Sequence, residues 1–89
     1  MRIYTKALTT GSFVIESSNN VMLLSFKTSA STGGCTMIGD AKYGNDSSEA
    51  MTFGSSDGMT LAAQNPSSPL EGITITHTGG TVFIIISVS

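Results

Sequence analysis

His77 is the only histidine in this chain and Cys35 the only cysteine. A catalytic imidazole needs a nucleophile to deprotonate and an acceptor that orients it. Ser and Thr hydroxyls are plentiful, but none stands in a strained-turn motif of the Gly-x-Ser-x-Gly kind. His77 therefore reads as a residue at the rim of a core, hydrogen-bonded to backbone or water. A lone cysteine excludes an intrachain disulfide. The run Cys35-Thr36-Met37-Ile38 reads as strand, with Cys35 a packed thiol. The carboxylates are Glu16, Asp40, Asp46, Glu49, Asp57 and Glu71. Asp40, Asp46, Glu49 and Asp57 fall in adjoining loops, where their oxygens could gather round Ca²⁺. Their spacing matches no EF-hand and no repeated acidic loop, so they read as solvated turn residues. Gly33-Gly34, Gly54 and Gly58 form no phosphate-binding loop. No catalytic residue, cofactor or metal is expected, and the chain is not read as an enzyme.

The cations are few: Arg2, Lys6, Lys27 and Lys42, with no run and no interleaved aromatics. Phosphate binding needs clustered cations, so no nucleic-acid partner is expected. Charged residues make up 11% of the chain, against a typical figure of about 25%. Ser, Thr, Asn and Gly supply the polarity instead, a mixture that suits strands and turns. A net charge of −2 gives little colloidal repulsion, which favours association. The longest strong apolar run, Val82 to Val88, is far too short to span a bilayer. The N-terminal residues Met1 to Thr10 lack the apolar core of a signal peptide. Neither a membrane partner nor export through a signal peptide is expected. Tyr4 and Tyr43 are the aromatics with a polar tip; packing is the expected role, and stacking on a sugar ring the alternative.

These residues must be positioned by strands. Residues 1–89 read as one domain, because the length leaves no room for a second. Period-two alternation runs through Arg2 to Leu8, a candidate edge strand, and through Ser12 to Ser17. It continues in Val21 to Thr28, with Val21, Leu23 and Ser25 on one face and Met22, Leu24 and Phe26 on the other. Ala50 to Phe53 and Met59 to Ala62 flank Gly54-Ser55-Ser56-Asp57-Gly58 and read as a hairpin. Ile73 to Thr78 and Thr81 to Val88 flank Gly79-Gly80 and read as a second, tighter hairpin, since glycine accepts positive φ. In that hairpin Thr78 faces Thr81, His77 faces Val82, Thr76 faces Phe83, Ile75 faces Ile84, Thr74 faces Ile85 and Ile73 faces Ile86. Ile73, Ile75, His77, Val82, Ile84, Ile86 and Val88 then share a core face. Thr74, Thr76, Phe83 and Ile85 share the opposite face, which is half apolar and is expected to be an interface. No segment keeps a helical period. The expectation is all-β: a small antiparallel β-sandwich or flattened barrel of about seven to eight short strands.

Low charge and short Ser/Thr/Gly-rich strands accompany the segment Pro69-Leu70-Glu71-Gly72-Ile73-Thr74-Ile75. Gly79-Gly80-Thr81-Val82-Phe83-Ile84-Ile85-Ile86 follows it. In this texture the second half of the chain resembles small structural proteins of tailed bacteriophage particles. The resemblance implies a virion protein made in the host cytoplasm, such as a capsid decoration, head-fibre, neck or tail component. It implies action by assembly, with itself as a homo-oligomer (a trimer by analogy with particle-surface proteins) and with other virion proteins. It carries over no functional residues. The alternative from another class is a small carbohydrate- or surface-binding β-module.

Overall fold

A computed structural model describes residues 1–40, 44–45 and 47–89. Lys42, Tyr43 and Asp46, weighed above for charge, stacking and metal binding, lie outside the described residues. The described chain is all-β, with one 3₁₀ turn at Ser17–Asn19 closed by left-handed Asn20 (φ 55°). The strands are β1 (Arg2–Leu8), β2 (Ser12–Ile15), β3 (Val21–Thr28), β4 (Gly34–Gly39), β5 (Met51–Phe53), β6 (Gly58–Ala62), β7 (Ile73–Gly79) and β8 (Val82–Val88). They form two antiparallel four-stranded sheets packed face to face, ordered β1-β8-β3-β6 and β2-β7-β4-β5. β1 is an edge strand, as its alternation suggested.

The pairing is nested. β1 pairs with β8, β2 with β7, β3 with β6 and β4 with β5. This long ribbon wraps on itself so that β8 also meets β3 and β7 also meets β4. Such wrapping defines a jelly roll. Two expectations are thereby corrected. Ile73–Gly79 and Val82–Val88 are not a hairpin: the chain leaves one sheet at Gly79 and enters the other at Val82. Likewise β5 and β6 lie in different sheets.

Packing explains both outcomes. A Cβ on Gly79 would sit 2.8 Å from the Thr32 carbonyl oxygen. One on Gly80 (φ 55°) would sit 2.5 Å from Ser29 Oγ and 2.8 Å from Gly33 N. These glycines admit the 29–33 loop against a corner, and two glycines read the same in a corner as in a tight turn. Thr28 secures the β5–β6 crossing. Its buried Oγ1 donates to the Gly54 carbonyl at 2.5 Å and accepts from Asp57 N at 3.0 Å.

The core contains Leu8, Ile15, Val21, Leu24, Phe26, Cys35, Ile75, Val82 and Ile84. Phe26 of one sheet meets Phe53 of the other edge to face, centroids 5.0 Å apart at 85°, a geometry favoured by the ring quadrupoles. The expected faces of β3 are corrected by a register shift between Val21 and Leu23. The bulge resets the alternation, so Val21 joins Leu24 and Phe26 inside while Leu23 turns outward. With principal extents of 38 × 37 × 18 Å, the sandwich is thin and both outer faces are large relative to the core.

Candidate functional site

The two outer faces differ in chemistry. On β8 the alternation is strict from Val82 to Ile85: Val82 and Ile84 are buried, and Phe83 and Ile85 project outward with 53% and 39% exposure. Strand register groups their neighbours into three transverse rows, one residue from each strand in the order β1, β8, β3, β6. They are Ala7–Phe83–Lys27–Gly58, Thr5–Ile85–Ser25–Thr60 and Ile3–Ser87–Leu23–Ala62. Ile3 is 57% exposed, and Ser25 and Thr60 hydroxyls satisfy each other at 3.0 Å. Lys27 is the one ionisable side chain in these rows. A shallow groove over β1, β8 and β3 runs between Thr5, Ala7, Ser25, Lys27, Phe83 and Ile85. The surface is mostly apolar and small-residue, unlike a strand face turned to water.

The opposite outer face is built on threonine. Ser12, Thr76, Thr36 and Thr52 form a row across β2, β7, β4 and β5, and Val14, Thr74 and Ile38 form the next. Ser12 and Thr76 hydroxyls hydrogen-bond at 2.9 Å. Thr–Ser/Thr pairs of this kind stabilise a sheet by roughly 0.2–1 kcal/mol each. The expected four-residue interface is thus divided. Thr74 and Thr76 lie on the outer face of one sheet, Phe83 and Ile85 on that of the other. The inward or outward sense of each residue follows its strand; the shared face depended on the hairpin and is corrected with it. Ile3, Leu23 and Ala7, which complete the apolar surface, were not grouped with Phe83 because nothing local in sequence says which strands flank β8.

His77 sits half-buried near the β7–β8 corner, its Nε2 2.7 Å from the Gly80 carbonyl oxygen. Its backbone N–H donates to Gly11 O at 3.0 Å. That is the rim position with a backbone partner read from sequence. Cys35 is free and fully buried, and burial raises its thiol pKa. The acidic loops part company. Asp57 caps Gly54 N at the β5–β6 crossing (3.0 Å to Oδ2), whereas Asp40 lies beside Gly72 and lines a polar hollow with Glu16 and Glu71. Among the described residues no three His, Cys, Asp or Glu side chains are grouped to hold a metal ion. Tyr4, 47% exposed, stands at the open β1–β2 edge in a groove with Phe13, Asn19, Ile86 and Val88. Among the described residues no helix is long and apolar enough to cross a membrane. No family model, curated protein or solved structure matches the chain.

Proposed function

We propose that this chain is a non-enzymatic structural subunit of a virion that works by assembling, with the outer face of β1, β8, β3 and β6 as its contact surface. The observation that carries the reading is the exposed Ile3, Phe83 and Ile85 on rows whose one ionisable side chain is Lys27, with Lys6 also lining the groove beside them. Contiguous exposed apolar surface of this kind marks interaction sites. The jelly-roll order adds support, since capsid domains use it. Lectin domains use it too, so fold alone does not choose between them. Assembly on a particle also accords with the low charge of the chain and its phage-like strand texture.

Mass spectrometry of virions purified from cultures producing the chain tests the assignment. Stoichiometric recovery with the particle is expected; recovery only from the unassembled soluble fraction would refute it. A second reading, a carbohydrate-binding module, draws on one observation: the half-exposed Tyr4 ring over an apolar groove with the Asn19 amide beside it. Binding on a glycan array that is lost in Tyr4→Ala would favour that reading.

A further inference from the structure

The geometry points to an acidic sugar residue, a pyranose carrying a carboxylate, as the ligand of the groove at the open β1–β2 edge, with its ring on Tyr4 and its carboxylate on Arg2. The inference goes beyond assembly and rests on the carbohydrate-binding reading, whose ligand class it names. The groove exists because two strands differ in length. β2 ends after four residues, whereas β1 runs for seven, so the first half of β1 extends past its cover. Arg2 and Tyr4 lie there, opposite Val88 and Ile86 of β8, and cross-strand partners share one side of a sheet. That is the inner side, which buried Val82 and Ile84 occupy further along β8. Ile86 and Val88 form the floor, Phe13 the facing wall and the Tyr4 ring, 47% exposed, the near wall. The hollow is about 350 Å³, at the small end of ligand sites of about 300–1,000 Å³. It suits a single sugar ring, with the rest of a glycan in solvent.

Unspent donors choose the class. Asn19 Oδ1 accepts the Glu16 N–H at 2.9 Å, which fixes the amide and leaves its NH₂ free at the groove. Among the described residues that NH₂, the Tyr4 hydroxyl and the Arg2 guanidinium engage no hydrogen bond or ion pair. Arg2 is exposed and stands two residues from Tyr4 on the same side of β1, about 7 Å along the strand. Its long side chain reaches a carboxylate on a ring stacked at Tyr4, and its fork matches that group with two parallel hydrogen bonds. Glu16 lines a separate hollow with Asp40 and Glu71, so no carboxylate lines this groove. An acidic sugar uses every part: its apolar face covers Tyr4 and the floor, its hydroxyls meet the Asn19 amide and the Tyr4 hydroxyl, and its charge meets Arg2. Inorganic phosphate would leave the apolar walls uncovered. A fatty acid would leave the Asn19 amide unmatched.

Titration of the full chain with glucuronic acid, N-acetylneuraminic acid and glucose, followed by amide chemical shifts, tests the site. At least one of the two acids is expected to bind at low ionic strength, with shifts centred on Tyr4, Phe13, Asn19 and Val88, and glucose at least tenfold more weakly. Added salt is expected to weaken the acid and spare glucose. Arg2→Gln is expected to cost the acid about tenfold or more without changing glucose. Tyr4→Ala is expected to abolish both. Asn19→Asp keeps the oxygen that accepts from Glu16 and removes the free donor, and is expected to weaken both. Lys27→Gln removes the same charge from the outer face and is expected to leave affinity within twofold of wild type, which excludes charge attraction alone. Each variant is checked for an unchanged circular dichroism spectrum. Should Tyr4→Ala fail that check, Arg2→Gln at the exposed end of β1 decides. Glucose bound as tightly as the acids, or acid binding that survives Arg2→Gln, overturns the acidic class and leaves the carbohydrate reading standing. No binding of any of the three sugars at millimolar concentration removes both.

Discussion

Thr28 is the residue on which one end of the sandwich depends. Its hydroxyl is buried and joins Gly54 and Asp57 of the β5–β6 crossing to β3. Thr28→Val keeps the shape and leaves a carbonyl and an N–H without this partner. A lost part-buried hydrogen bond costs about 0.5–1.5 kcal/mol, so a fall in the urea midpoint is expected at unchanged slope; an unchanged midpoint would contradict the role. Cys35 yields a pH prediction. Burial raises the folded thiol pKa, so the folded state holds its proton at a pH where the unfolded chain has released it. The thiol's contribution to stability is full below the unfolded pKa and is lost as pH rises through the alkaline range toward the folded value. Cys35→Ala is expected to flatten part of that alkaline decline. Maleimide labelling should be slow in the native protein and fast in denaturant.

Glycine separates backbone conformation from packing among the connecting elements. Gly11 and Gly80 both have positive φ, but a Cβ on Gly11 would meet nothing within 4 Å, while one on Gly80 meets the 29–33 loop. Gly11→Ala is expected to cost about 1 kcal/mol, the left-handed penalty alone. Gly80→Ala is expected to cost clearly more, in paired thermal melts; equal losses would deny the packing argument. The edge strand makes a further prediction. Lys6→Val removes a charge that guards β1 and should raise light scattering on concentration without changing the monomer's spectrum. The strands themselves were legible because alternation is a local property of the chain: Phe13 and Ile15 inward, Val14 outward, Phe83 and Ile85 outward. Their pairing was not. Gly79-Gly80 permits a turn or a corner equally, and only the distant Ser29, Thr32 and Gly33 decide between them. The bulge at Met22 has no sequence signal of its own, and it was enough to exchange Val21 with Leu23. For the same reason Phe83 was found but the surface round it was not.

Nested pairing governs the behaviour of the whole molecule. The first strand pairs with the last, Arg2 opposite Val88 and Leu8 opposite Val82, so the β1-β8-β3-β6 sheet closes only once distant parts of the chain have met. Long loops must close before their contacts reward them, which places folding in the millisecond-to-second range of sandwiches. Stopped-flow refolding is expected to show this, and microsecond refolding would be incompatible with it. The register of β1 on β8 also has a mechanical meaning. Arg2 and Val88 sit side by side at one end of the antiparallel pair, so tension applied through the two ends of the chain falls on one ladder bond at a time. The strands unzip from that end and share no load in shear. A single molecule pulled by its ends therefore yields at low force, starting with β1. A subunit with this weakness withstands stress when gripped by its broad faces, where many contacts resist together, and gives way when hung by its tails.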